Sequence, residues 1–260
     1  MSIIVENLCF SYDKHQVLKN VSFSATENRI LSVLGPNGVG KSTLFSCILG
    51  LLPDYSGKIK VDGEDIRNLS AREMARRIAY IPQSHYPSFN YTVFDMVLMG
   101  TTQQVSVFST PGKKQIERAE RAIERMGIAH LSHRGFSMIS GGERQLAIIA
   151  RALAQDAHTL IMDEPTANLD FGNQIKVLTQ IKSLASDGYT IIQSTHNPDQ
   201  TFLFSDLVLA LKDGRVFACG KPADIVNREL IHALYGVDIE LQSICNDAVR
   251  VCVPSFAAQP

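Results

Sequence analysis

Residues 35–42 read Gly35-Pro36-Asn37-Gly38-Val39-Gly40-Lys41-Ser42, and Thr43 follows them. The stretch matches GxxxxGK[ST] at every fixed position, and its setting agrees with its spacing. Upstream, Arg29 to Leu34 (RILSVL) is a short apolar run that predicts a buried strand. Downstream, Ser42 to Leu51 is helix-forming sequence that stops near Gly50 and Pro53. Strand, glycine loop and helix in that order make a phosphate cradle. Glycines let the backbone curl until several N–H groups point at phosphate oxygens, and the helix N-terminus adds its dipole. Lys41 then reaches the outer phosphates of a nucleotide, Ser42 offers its hydroxyl to Mg2+, and Thr43 can bond a further phosphate oxygen.

Working outward, Val5 and Phe10 sit in a strand-like opening, and further strands are predicted at Lys58 to Val61, Arg77 to Ile81, Thr159 to Met162 and Thr190 to Gln193. Helical stretches alternate with them, which predicts an α/β fold of mostly parallel sheet with ligands beyond the carboxyl ends of its strands. From Tyr91 to Met138 the strand signals vanish. Ile116, Ala119, Ile123 and Met126 there mark one apolar face of a charged helix, with Glu117 and Arg121 as a solvated i,i+4 pair, so a helical subdomain is expected. Leu207 to Gly220 reads as two strands turning at Asp213-Gly214. The alternation of Val237, Ile239 and Leu241, then of Val249, Val251 and Val253, predicts a second small hairpin.

Thr159 to Glu164 (TLIMDE) is an apolar strand ending in two carboxylates. Side chains alternate along a strand, so the two should do different jobs. Asp163 suits Mg2+, directly or through water, and Glu164 suits polarising an attacking water.

Ser140-Gly141-Gly142-Glu143-Arg144-Gln145, preceded by Ile139, resembles the signature motif of ATP-binding cassette proteins, with Ile139 in place of the usual leucine. A second helix N-terminus with a small hydroxyl residue and two glycines can approach a γ-phosphate closely. In that family the phosphate belongs to the nucleotide on the other subunit of a head-to-tail homodimer. The resemblance covers the chain from Ile3 to about Gly220. It implies an ATP hydrolase of P-loop NTPase type that uses ATP and Mg2+. It also implies a nucleotide-binding core with an antiparallel β subdomain over residues 1–83 and 157–220, an inserted helical subdomain carrying the signature over 84–156, and a C-terminal extension over 221–260. By the same resemblance Tyr12 stacks on adenine, Gln83 senses Mg2+ and the attacking water, Asn168, Leu169 and Asp170 pass between subunits, and His196 contacts the γ-phosphate. Asp170 could equally cap the helix that follows it.

Thr92 to Gly100 (TVFDMVLMG) and Ser140 to Gln155 resemble importers of iron–siderophore complexes, haem, cobalamin and related metal chelates. A molybdate or tungstate importer is the nearest alternative, and an exporter ATPase or a non-transport cassette protein are the others. On family grounds the surface around Ser84 to Met99 meets a separate membrane permease, which in turn works with a substrate-binding protein.

Composition narrows the partners. The 260 residues carry a formal net charge of −1, without the basic excess that would announce nucleic acid. No stretch approaches the roughly 20 apolar residues that span a bilayer. The expectation is therefore a peripheral protein at the cytoplasmic face of the membrane. Five cysteines (Cys9, Cys47, Cys219, Cys245, Cys252) form no CxxC pair and read as mostly buried free thiols, with Cys245 and Cys252 as the pair that could bridge.

Overall fold

The computed structural model describes residues 2–83, 90–104, 110–244 and 249–257. It divides into two compact units, Met1–Asn68 with Thr190–Pro260, and Leu69–Tyr189. In chain order the first unit opens with β1 (Ile3–Tyr12), β2 (His15–Ala25), β3 (Ile30–Leu34), α1 (Lys41–Ile48), β4 (Ser56–Val61) and β5 (Glu64–Asp65). The second unit follows with α2 (Ala71–Arg77), β6 (Ile78–Ile81), α3 (Val93–Leu98), α4 (Lys113–Arg125), α5 (Gly141–Ala154), β7 (Thr159–Met162) and α6 (Phe171–Ser186). The chain returns to the first unit with β8 (Thr190–Thr195), α7 (Pro198–Phe204), β9 (Leu207–Lys212), β10 (Arg215–Gly220), α8 (Pro222–Ile225), α9 (Arg228–Tyr235), β11 (Ile239–Ile244) and β12 (Val249–Pro254). The fold is α/β, as the alternation predicts.

In the first unit β3 lies between β8 and β9 and is parallel to both, while β10 pairs antiparallel with β9. All five residues of β3 are buried, which is why its sequence is continuously apolar rather than alternating. A separate antiparallel sheet runs β2-β1-β4-β5. The sequence reading has no strand at β2, and the reason is local. Asn7 and Asn20 adopt φ of 51° and 58°, and at each the register of the β1–β2 pair shifts. The bulge at Asn20 lies on β2 and flips its buried face, so Leu18 and then Val21, Phe23 and Ala25 point inward and the period of two is lost.

Residues after Gly220 form part of this unit's core. Val226, Leu230, Ile231, Leu234 and Ile239 pack with Leu34, Val208 and Ala210. Both predicted hairpins form; in the first, Asp213 and Gly214 turn with φ of 50° and 77°, the geometry of a tight hairpin turn.

In the second unit β6 and β7 are parallel, and α3, α4 and α5 pack on one another. Capping boxes fix the starts of α3 and α5: Thr92 with Asp95, and Ser140 with Glu143. On α4, Ala119, Ile123 and the following Met126 are buried as expected, but Ile116 is 38% exposed and lies outside the apolar stripe. Glu117 pairs with Lys113 one turn earlier, at 3.8 Å. The predicted helix over Ser42–Leu51 is shorter, ending at Ile48 before Gly50 (φ 71°). Among the described cysteines all are free, but only Cys47 is buried and Cys219 is exposed, which corrects the expectation of mostly buried thiols. Cys245, and with it the suggested bridge, lies outside the described residues. Among those residues no helix is long and apolar enough to cross a membrane.

Candidate functional site

The phosphate loop leaves β3 at Gly35, where a Cβ would sit 2.7 Å from the Leu211 carbonyl oxygen, so no larger residue fits. Gly38 and Gly40 turn the chain with φ of 82° and 108°, conformations that disfavour L side chains. Lys41 then begins α1 with only 5% of its surface exposed, although it carries a charge. Its ammonium donates to the carbonyls of Gly35 at 2.8 Å and Pro36 at 3.1 Å, so the loop wraps around it. The backbone N–H groups of Asn37, Gly38, Val39 and Gly40 have no acceptor among the described residues. Adjacent amides of this kind, at the start of a helix and beside a buried cation, form a nest for an anion with several oxygens. Ser42 is exposed and Thr43 half-buried at the same helix start.

Tyr12 ends β1, is half exposed, and packs edge-on against Phe10 with ring centroids 4.9 Å apart. Its cross-strand partner His15 lines an open recess of about 320 Å³ that Pro36, Asn37 and Gly38 also line, on the flank of the phosphate loop. Tyr12 is thus an exposed aromatic in the same unit as the phosphate loop.

In the same unit His196 is exposed directly after β8. Its carbonyl accepts a hydrogen bond from the Tyr235 hydroxyl at 3.0 Å, and Asn197 caps α7 immediately beyond it. Tyr235 went unnoticed in the sequence because its connection to His196 spans 39 residues and leaves no local pattern.

The second unit holds the two carboxylates. β7 is wholly buried, and the Asp163 amide continues its pairing by donating to the Ile81 carbonyl at 2.8 Å. Asp163 and Glu164 are both buried. Glu164 adopts φ of 45°, a left-handed conformation that costs a non-glycine residue about 1–3 kcal/mol and tends to cluster where function requires a fixed geometry. Gln83, just past β6, donates from Nε2 to Glu164 Oε2 at 3.3 Å. The structure thus brings together two residues that the sequence assigned to one task from 81 positions apart. Residues 84–89, the start of the expected permease-facing surface, lie outside the described residues.

Ser140 caps α5: its hydroxyl accepts from the Glu143 amide, and its own amide donates to Glu143 Oε2 at 2.7 Å. Hydrogen bonds to the carboxylate from the Ser140 side chain, and next from its amide, hold the Glu143 carboxyl below its ordinary range. Gln145 is buried, and its Nε2 has no hydrogen-bond partner among the described residues. A Cβ on Gly142 would lie 2.5 Å from Asn173 Cγ, and one on Gly141 would lie 3.3 Å from Leu169 Cδ2. The signature glycines are therefore the places where α6 and the loop before it come closest. In that loop Asn168 has φ of 60°, the Leu169 carbonyl accepts from Gln174 at 2.9 Å, and Asp170 caps α6 through the Asn173 amide. The capping alternative for Asp170 is realised. Asn173 was not singled out from the sequence; only the folded glycine contact reveals it.

Among the described residues no cluster of three or more His, Cys, Asp and Glu is placed to hold a metal by protein ligands alone. Asp163 and Gln83 in the second unit, and Ser42 in the first, each carry an oxygen donor of the type that Mg2+ accepts.

The ABC transporter family model matches residues 18–167. An uncharacterised ABC transporter ATP-binding protein of Haemophilus influenzae is 40% identical over 241 residues, 93% of this chain and 92% of the relative. A probable iron chelatin transport ATP-binding protein of Helicobacter pylori is 37% identical over 249 residues, 95% of this chain and 97% of the relative. Among solved structures, the inward-facing conformation of an ABC transporter assigned to the metal-chelate type superposes with a TM-score of 0.86 at 33% identity, covering 97% of this chain and 96% of that one.

Proposed function

Because the chain belongs to the ATP-binding cassette family of transporter ATPases, we propose that it powers import of a metal chelate of the iron–siderophore, haem or cobalamin type through a separate membrane permease. ATP hydrolysis coupled to transport is the activity of the family. The observation that carries the chemistry is the phosphate loop, in which a buried ammonium lies beside four successive amides that have no acceptor among the described residues. The chelate class is supported by the iron chelatin relative and by the metal-chelate type structure, both matched over nearly their whole lengths.

In this reading Lys41, the loop amides and Thr43 hold the ATP phosphates, and Tyr12 stacks on the adenine. Ser42, Gln83 and Asp163 hold Mg2+, which when bound neutralises phosphate charge as a Lewis acid. Glu164 accepts the proton of the attacking water, Gln83 fixes that carboxylate, and His196 meets the γ-phosphate. Ser140, Gly141, Gly142, Glu143 and Gln145 serve the nucleotide held by the other copy of a head-to-tail homodimer, with Asn168, Leu169 and Asp170 passing between the copies. The protein sits peripherally on the cytoplasmic face, where its permease-facing segment begins after Gln83 and a binding protein delivers substrate from the other side.

The test is transport by vesicles holding the ATPase with its co-expressed permease, with ATP supplied on the ATPase side. Uptake of a ferric siderophore, haem or cobalamin that ceases with Lys41→Ala is expected. Strictly outward flux, or uptake of molybdate alone, contradicts the proposal.

A further inference from the structure

A second recess, of about 500 Å³, opens in the first unit, lined by Arg29, Phe202, Ser205, Asp206, Lys221 and Arg250, with Pro222 and Ala223 at its edge. It lies at the opposite end of β3 from the phosphate loop. Arg29 immediately precedes β3 and Gly35 immediately follows it, so roughly 16 Å of strand separates the two sites. The wall is shared between the sheet and the chain after Gly220, which contributes Lys221 and Arg250.

The recess is basic. Arg29, Lys221 and Arg250 form no ion pair with any described carboxylate. Asp206 is the one acidic residue among the described residues of the lining, and its Oδ2 accepts from the Ile30 amide at 2.8 Å. Arg250 is partly held in place through Nη1, which donates to the Ala223 carbonyl at 2.7 Å. Phe202 and Pro222 add an apolar side.

One lining residue, Ser205, belongs to a chain of polar side chains. Gln193, buried in β8, donates from Nε2 to Ser32 Oγ at 3.1 Å, and Ser32 Oγ lies 2.6 Å from Ser205 Oγ. Either hydroxyl of the Ser32–Ser205 pair can be the donor between them, and the Ser205 side chain lines the recess. Three cations and a serine hydroxyl therefore line one space, which is of the size that small ligands occupy.

We propose that this recess is a binding site for a small phosphorylated anion, distinct from the nucleotide site, whose phosphate is gripped by Arg29, Lys221, Arg250 and Ser205 and whose apolar part lies against Phe202 and Pro222. Occupancy ties the chain after Gly220 to the start of β3. That same C-terminal stretch contacts the segment around His196 at two points, through Tyr235 to the His196 carbonyl and through the Cys252 amide to Asp199. The site is therefore placed to influence the segment that carries His196.

Calorimetric titration with inorganic pyrophosphate in Mg2+-free buffer tests the site. Lys41→Ala weakens the phosphate loop, so binding of one equivalent per chain should persist in that variant. Adding Arg29→Gln and Lys221→Gln should weaken it by about tenfold or more, as loss of charge-assisted hydrogen bonds does. Ser205→Ala, which leaves the charge unchanged, should also weaken it, whereas Lys113→Gln with Lys114→Gln, a charge change in the other unit equal to that of the Arg29→Gln/Lys221→Gln pair, should not. If Lys41→Ala abolishes all binding, or if the Arg29→Gln/Lys221→Gln variant binds as well as its parent, the site does not exist.

Discussion

Gln83 Nε2 lies 3.3 Å from Glu164 Oε2, and Glu164 is itself held at φ of 45°. The side-chain amide restrains a carboxylate whose backbone is already in an uncommon conformation, so the direction of the carboxylate is set from both ends. Gln83→Ala should lower ATP turnover by roughly 10- to 100-fold, below the full contribution of a general base, because the carboxylate stays while its orientation loosens. Nucleotide affinity measured without Mg2+ should change little, because Lys41 and the loop amides are untouched. A variant that hydrolyses at the wild-type rate, measured by phosphate release, would show that the hydrogen bond is incidental.

Gly142 and Asn173 approach so closely that a methyl group cannot enter without displacing Asn173, and Asn173 is pinned in turn by two hydrogen bonds to Asp170. Gly142→Ala should therefore destabilise the fold by about 1–3 kcal/mol, the usual cost of overpacking, even though alanine favours a helix. In a double-mutant cycle, Asn173→Ala should recover part of that loss. Equal stability of Gly142→Ala and wild type in urea unfolding would remove the contact from the account.

Glu143 has its carboxyl lowered in the folded state by hydrogen bonds from Ser140. A depressed folded value means that its contribution is present above the ordinary glutamate range, about 4.3, and is lost as pH falls through the lower folded value. Glu143→Ala should unfold at a lower temperature than wild type near neutral pH, and the difference should shrink below about pH 4. A difference that grows on acidification would reverse the assigned sign.

How much of this could be read in advance depended on how local the cause was. The RILSVL strand, the glycine loop and α1 are consecutive, and each announces itself by an apolar run, glycines or a stop signal; the structure reproduces them to within a few residues. β2 escaped because Asn20 breaks the alternation on which a strand reading depends. Ile116 looked buried because a helical stripe drawn from sequence takes no account of where the packing face of α4 ends. The roles of the site residues rested on motifs, whereas Asn173 and Tyr235 act through contacts that only folding creates. The integration of residues 226–239 into the first unit's core was equally invisible, since their partners at Leu34, Val208 and Ala210 belong to other strands.

ATP turnover of Glu164→Gln, measured beside its nucleotide binding, tests the assignment of the hydrolytic carboxylate most directly. The substitution keeps size and hydrogen bonding while removing the negative charge that activates water. Hydrolysis should fall by about 10²- to 10⁴-fold, the range of a lost general base. ATP affinity should persist, because Lys41 and the amides of Asn37 to Gly40 belong to a separate part of the chain. With Mg-ATP the variant should sediment as a dimer stabilised by unhydrolysed nucleotide, and without it as a monomer. Turnover by Glu164→Gln at the wild-type rate would contradict the mechanism outright.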